Sequence, residues 1–409
     1  MAGGFEVRSG EGRGRLAAGG VAIAATAHER RSSGSRAALR DDENSLARPG
    51  PRRRAARLRR TDCSAPGIRR LRHGRGFRYV DELTGERITD EETLERIAAL
   101  VIPPAWNDVW ICPWPNGHIQ AVGVDKAGRK QYRYHDRWRE RRDQQKFDEM
   151  VAFARALPRL RAVAAGHLQQ NELTRERVLG GAVRLLDRGF FRIGGEDYAE
   201  QNETFGLATM QKRHVKLLDG NVVVFDYQSK ASKRRVQSVV DEDVFDLVSE
   251  LKRRRRGSAE LLAYRENGVW RDVRSADINE YIKAVTGSDF SAKDFRTWHA
   301  TVLAAVALAV SGRAAASKTA RKRAITRAVN EVAYYLGNTP AVCRASYIDP
   351  RVFDRYETGW TIGGALDALG EDAELGEPAT QGAVEEAVLD LLEDEKESHA
   401  LEKVKAAAA

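Results

Sequence analysis

The chain has 409 residues, 42% of them hydrophobic, and a formal net charge of +9. That length accommodates two or three domains with real cores and excludes a miniprotein, and Cys63, Cys112 and Cys343 are too scattered for a disulfide framework or a structural zinc site. The basic balance points to an acidic partner, and nucleic acid is the acidic polymer that a basic intracellular protein most commonly meets.

Residues 1–62 are rich in Arg, Gly, Ala and Ser and end in Arg52, Arg53, Arg54, Arg59 and Arg60, without sustained periodicity. A disordered extension is expected. It reads as a nucleic-acid-binding arm, a targeting peptide, or translated sequence upstream of the true start, and 21–25 is wrongly flanked for a secretory signal.

From residue 63 to 143 the texture is that of a small antiparallel sheet domain, with strands at 77–80, 109–112 and 118–122. One helix is expected over 90–100, capped by Thr89 and Asp90 and stopped by Pro103 and Pro104. Trp106, Trp110 and Trp114 read as core rather than as a base-stacking platform. In the run Arg129, Lys130, Gln131, Tyr132, Arg133, Tyr134, alternate strand residues share a face, so the two tyrosines project together while the cations meet phosphates.

A linker is expected over 138–146, leading into a mainly helical domain at 144–360. Phe147, Met150, Val151, Phe153 and Ala154 recur at helical spacing, as do Val178, Ala182, Leu185 and Leu186. A three-stranded meander follows at 215–218, 222–227 and 236–240; Asp219, Gly220 and Asn221 form its first turn, and Lys230 tips the second, at 228–232. Helices resume at 244–255, 276–285, 292–310 and 319–336. The apolar run 301–310 is too short to cross a bilayer. Residues 361–409 form an acidic tail whose amphipathic part, 384–392, reads as a solvated helix, with competition against DNA for the basic surface as the alternative. The fold class is therefore α+β.

Four features recur in a fixed order. Arg192 follows an amphipathic helix and precedes Glu196, Tyr198 and Asn202; Lys230 sits in a hairpin turn; Lys293 and Arg296 open a helix; Leu336, Gly337, Asn338, Thr339 and Pro340 lead to Tyr347. A tyrosine oxygen can attack phosphorus and stay attached, so that a strand break is held covalently and resealed without ATP.

In this order and spacing, over about 67–360, the chain resembles the type IB DNA topoisomerases, specifically their compact viral and bacterial branch. The resemblance implies that Arg192 and Arg296 hold the non-bridging oxygens of the scissile phosphate and that Lys230 protonates the departing 5′ oxygen. It also implies that Asn338 donates to a non-bridging oxygen and that Tyr347 forms a 3′-phosphotyrosine. DNA contacts are implied for Arg129, Lys130, Gln131, Tyr132, Tyr134, Tyr198 and Lys293. No cofactor or metal is expected, since fixed arginines supply the charge stabilisation. The expected partner is double-stranded DNA, clamped by a monomer in the bacterial cytoplasm.

Two departures stand out. Viral and nuclear members usually carry histidine where this chain has Asn338, which cannot bring a charge. The lysine turn reads Ser229, Lys230, Ala231, Ser232, Lys233, so Lys233 competes with Lys230 as proton donor. Tyrosine recombinases share the chemistry but typically have His-x-x-Arg where this chain has Lys293 and Arg296. A non-enzymatic architectural DNA-binding protein would explain the charge but not the ordered set.

Overall fold

A computed structural model describes residues 57–312, 317–372 and 381–404 and divides the chain into two compact units, one ending at Phe147 and the other beginning at Asp148. The expected disordered extension lies outside the described residues as far as position 56. Its last part, 57–62, is ordered instead: Arg59 bridges to Gly117, and its guanidinium lies 3.7 Å from the centre of the Trp114 ring.

The first unit is a five-stranded antiparallel sheet in the order β2-β1-β3-β4-β5, formed by β1 (Ile68–His73), β2 (Gly76–Asp81), β3 (Asn107–Ile111), β4 (Ile119–Val124) and β5 (Lys130–Tyr134). The helix α1 (Glu91–Ala99) starts where expected because the Asp90 carboxylate accepts from the Thr93 amide at 2.8 Å. Ile97 of α1 packs with Ile68, Val109, Ile111 and Ala121 on one face of the sheet. Trp110 is buried on the other face, its indole donating to the Ala65 carbonyl at 3.0 Å. Strand β1 was not anticipated, because four of its six residues are Arg or His. Arg70 resolves the conflict by turning inward and donating to the carbonyls of Ile102, Pro103 and Trp106.

The stretch 138–146, expected as a linker, is helical and belongs to α2 (Asp136–Leu168). Arg, Glu, Gln and Lys predominate there, and all propagate a helix readily.

The second unit is mainly helical. α3 (Arg175–Gly189) buries Val178, Leu179, Ala182, Leu185 and Leu186, as its periodicity predicts. α4 (Glu196–Asn202) precedes the antiparallel meander β6 (Val215–Leu218), β7 (Val222–Ser229) and β8 (Lys233–Val240). Gly220 and Asn221 take φ of 76° and 58° in the first turn, which their residue types tolerate. α5 (Glu242–Arg253) is capped by Asp241. A hairpin follows that the sequence reading did not include, β9 (Ala263–Glu266) and β10 (Val269–Asp272), turning at Asn267 and Gly268. α6 (Ser275–Thr286), α7 (Ala292–Gly312) and α8 (Lys318–Leu336) match the expected helices within two residues. α9 (Pro340–Ser346) and α10 (Pro350–Glu357) complete the run around Tyr347. Among the described residues, no helix is long and apolar enough to cross a membrane.

Beyond a short strand β11 (Trp360–Thr361) and α11 (Gly363–Asp372) comes α12 (Ala383–Glu393), followed by the strand β12 (Glu402–Lys403). The expected solvated acidic helix is instead packed into the unit. Val384, Ala387, Val388, Leu391 and Leu392 are buried, and so is Glu385, because its carboxylate accepts from Arg161 at 2.5 and 2.9 Å and from the Trp298 indole at 2.7 Å. Arg161 also grips Asp187 at 2.9 Å, and Asp187 accepts from His299 and Gln381. This buried network ties α12 to α2, α3 and α7.

Candidate active site

The C-terminus of α8 organises the site. A helix end leaves its last carbonyls without intrahelical donors and carries partial negative charge. Here three arginines answer those carbonyls in succession. Arg235 donates to Tyr334 at 3.4 Å and Tyr335 at 2.6 Å, Arg296 to Leu336 at 2.8 Å, and Arg192 to Gly337 at 3.3 Å. The arrangement explains how guanidinium groups can be crowded without a carboxylate between them. Arg296, a cation near the start of α7 where it opposes the helix dipole, finds its compensation at the end of α8.

Each side chain is delivered by a definite local feature. Arg192 follows the α3 end, where Phe190 takes a left-handed φ of 55° and reverses the chain. Arg296 lies on the buried face of α7, only 5% exposed, and its other terminal nitrogen donates to the Phe190 carbonyl at 2.7 Å. That bond joins the two arginines through the backbone. Gly337 caps α8 with φ of 63°, which favours glycine, and a Cβ there would fall 2.2 Å from Arg235 Nη1 and displace that guanidinium. Asn338, next in the turn, accepts from Arg192 through Oδ1. Tyr347 caps α9, its amide donating to the Cys343 carbonyl at 3.0 Å, and the Arg296 guanidinium carbon lies 5.4 Å from its ring centre.

Electrostatics follow from this packing. Burial pushes the Tyr347 phenol up, but Arg296 and then Arg192, through charge and hydrogen bonds, outweigh it and hold the phenol below the ordinary tyrosine value. Burial pushes the Arg296 guanidinium down to about 10, helped by the like charge of Arg192 and opposed by Tyr347. Two buried donors, Arg296 Nε and Asn338 Nδ2, have no hydrogen-bond partner among the described residues. Buried donors left in this way favour a bound anion.

A cavity of about 260 Å³ opens onto the group, lined by Arg192, Lys230, Lys293, Arg296 and Tyr347 among others. Lys230 begins a tight turn in which Ala231 and Ser232 take φ of 65° and 53°. Lys233 is exposed and is not among the lining residues. The sequence-predicted Arg192, Lys230, Arg296, Asn338 and Tyr347 are thus brought together, with Lys293 at the rim. Tyr198 sits on α4, and its side chain lies outside the described residues. Arg235 was missed, since its partners are backbone carbonyls 99 and 100 positions away.

In the first unit, the predicted contact residues lie on β5 and the turn before it. Tyr132 and Tyr134 are exposed and stack with ring centres 6.1 Å apart. Gln131 donates to Asp125 at 2.9 Å, and Arg129 pairs with the same carboxylate at 2.9 Å, while Lys130 is exposed. Asp125 therefore orients two of these residues, a role that sequence reasoning did not give it.

Two family models and several curated proteins are similar to this chain. Residues 135–360 match the family described as eukaryotic DNA topoisomerase I, catalytic core, and residues 76–125 match the bacterial DNA topoisomerase IB, N-terminal domain. DNA topoisomerase 1B of Acanthamoeba polyphaga mimivirus is 30% identical over 296 residues, covering 71% of this chain and 88% of the viral protein. DNA topoisomerase 1 of Schizosaccharomyces pombe is 32% identical over 133 residues, covering 32% of this chain and 15% of the yeast protein.

Proposed function

The chain belongs to the type IB DNA topoisomerases, type I isomerases that act on DNA, and we propose that its reaction runs through Tyr347. The Tyr347 oxygen attacks the scissile phosphorus and releases its phenolic proton to solvent. The bond to the 5′ oxygen breaks, and that oxygen takes a proton from Lys230, leaving a 3′-phosphotyrosine. Arg192 and Arg296 stabilise the extra negative charge of the transition state, and Asn338 Nδ2 donates to one non-bridging oxygen. The 5′ end then rotates about the intact strand, and attack by the 5′ hydroxyl reverses the step. Lys230 is preferred over Lys233 because it lines the cavity that Tyr347 enters.

The observation that carries this reading is the pair of unpartnered buried donors, Arg296 Nε and Asn338 Nδ2, beside a phenol flanked by two guanidinium groups. Such a site suits a phosphodiester. Lys293 at the rim, Tyr198 on α4, and Arg129, Lys130, Gln131, Tyr132 and Tyr134 of the sheet unit are assigned to duplex contacts. The protein acts as a monomer gripping double-stranded DNA, without ATP or metal, in the bacterial cytoplasm. Torsional strain in the DNA drives the change in linking number. The test is relaxation of supercoiled plasmid in EDTA without nucleotide: wild-type protein relaxes it, and Tyr347→Phe binds DNA but does not. A Tyr347→Phe protein that still relaxes plasmid would remove Tyr347 from this role.

A further inference from the structure

Arg235 lies outside the proposed reacting set but is fastened to the elements that carry it. On β8, Arg235 and Gln237 share one face, because alternate strand residues do. Gln237 is buried, accepts from the Tyr227 hydroxyl at 2.6 Å, and donates to the carbonyl of Gly189 at the end of α3. Arg235 donates to the carbonyls of Tyr334 and Tyr335 at the end of α8, and its guanidinium presses against Gly337. This face of β8 therefore clasps the two helix ends that lead into Arg192 and Asn338.

Past Arg235 the hairpin overhangs. Only the pairs Gln228 with Arg234 and Ser229 with Lys233 remain before the tip, and Lys230 through Arg234 are exposed. The β7 arm is held, since Ser229 is buried and the Gln228 carbonyl accepts from the Phe205 amide at 2.7 Å. Among the described residues, the exposed stretch 230–234 has no anchor outside the hairpin, the pair of Arg234 with Asp226 lying within it, so its position depends on where Arg235 is held. We propose that Arg235 is a positioning residue that fixes the overhanging hairpin against the Gly337 and Asn338 turn and thereby sets Lys230 over the leaving oxygen. The inference rests on the reading of Lys230 as proton donor. A lysine at 235 offers a point charge without the planar fork that reaches two carbonyls, so it would substitute only in part.

A leaving group that needs no proton separates this role from a merely structural one. In a duplex whose scissile 5′ oxygen is replaced by sulfur, the bond from Tyr347 to phosphorus forms, the phosphorus–sulfur bond breaks, and the electron pair leaves on a thiolate. Single-turnover cleavage is measured for wild type, Lys230→Ala, Arg235→Ala and Arg235→Lys on oxygen and sulfur duplexes built at the cleavage site mapped with wild type. The oxygen-to-sulfur rate ratio is taken on one preparation, so any inactive fraction cancels. Lys230→Ala and Arg235→Ala should each lose about 100-fold on the oxygen duplex yet stay within about threefold of wild type on the sulfur duplex. Arg235→Lys should fall between Arg235→Ala and wild type on oxygen. If sulfur rescues Lys230→Ala but Arg235→Ala is equally slow on both duplexes, or equally fast, the positioning role is wrong and the reading of Lys230 stands. If sulfur fails to rescue Lys230→Ala, the reading of Lys230 falls and the role of Arg235 with it.

Discussion

Replacing Glu385 by alanine tests the packing behind the site. Glu385 is 8% exposed, and its carboxylate accepts three hydrogen bonds, two from Arg161 and one from the Trp298 indole. Removing it leaves the Trp298 N–H buried without an acceptor, which costs about 1–3 kcal/mol. Breaking a buried ion pair costs about 3–5 kcal/mol, and the lower end applies because Arg161 keeps Asp187. Since the two terms overlap in part, the expected loss is about 4 kcal/mol, or about 10 °C in Tm for a unit of this size. Glu385→Gln keeps an acceptor for Trp298 and should lose about half as much. Urea unfolding followed by far-ultraviolet circular dichroism measures both. A helix that is only solvated would show a change within about 0.5 kcal/mol, so a loss below about 1 kcal/mol for Glu385→Ala would refute the reasoning.

Further outcomes follow from the same coordinates. Burial alone raises the Asp187 carboxyl, but His299 and Arg161 outweigh it and hold it well below its unfolded value of 3.8. The stability it contributes is therefore fully present above that value and is lost as pH falls below it toward and through the lower folded value, so acid unfolding of Asp187→Asn should be shallower than wild type below about pH 4. Because Arg192 helps to hold the Tyr347 phenol down, Arg192→Gln should move the alkaline inflection of the single-turnover cleavage rate to higher pH; an unmoved inflection would detach that titration from Tyr347. Lys230→Ala should slow cleavage about 100-fold and Lys233→Ala less than about threefold, a ranking that the reverse result would overturn.

How far the sequence foretold this fold depended on how local the controlling interactions are. The Asp90 cap, the Asp219 to Asn221 turn and the apolar spacing of α3 act within a few residues, and each marked its element. β1 escaped notice because its arginines resemble the basic segment before it; only the carbonyls of Ile102, Pro103 and Trp106 explain why Arg70 turns inward. The solvated reading of α12 failed for a similar reason, since Arg161, the partner of Glu385, lies 224 positions away. Arg192, Lys230, Arg296, Asn338 and Tyr347, the proposed reacting set, were singled out by their order and types. Their shared dependence on the end of α8, and the presence of Arg235 there, were not, because backbone carbonyls have no sequence signature.

The central claim is that Tyr347 carries the broken strand. Denaturing the protein during plasmid cleavage should trap it on DNA, and nuclease and trypsin digestion should then leave a nucleotide on the peptide 345–351, at Tyr347. A nucleotide on any other residue, or a cleavage reaction that leaves no covalent adduct, would contradict the account.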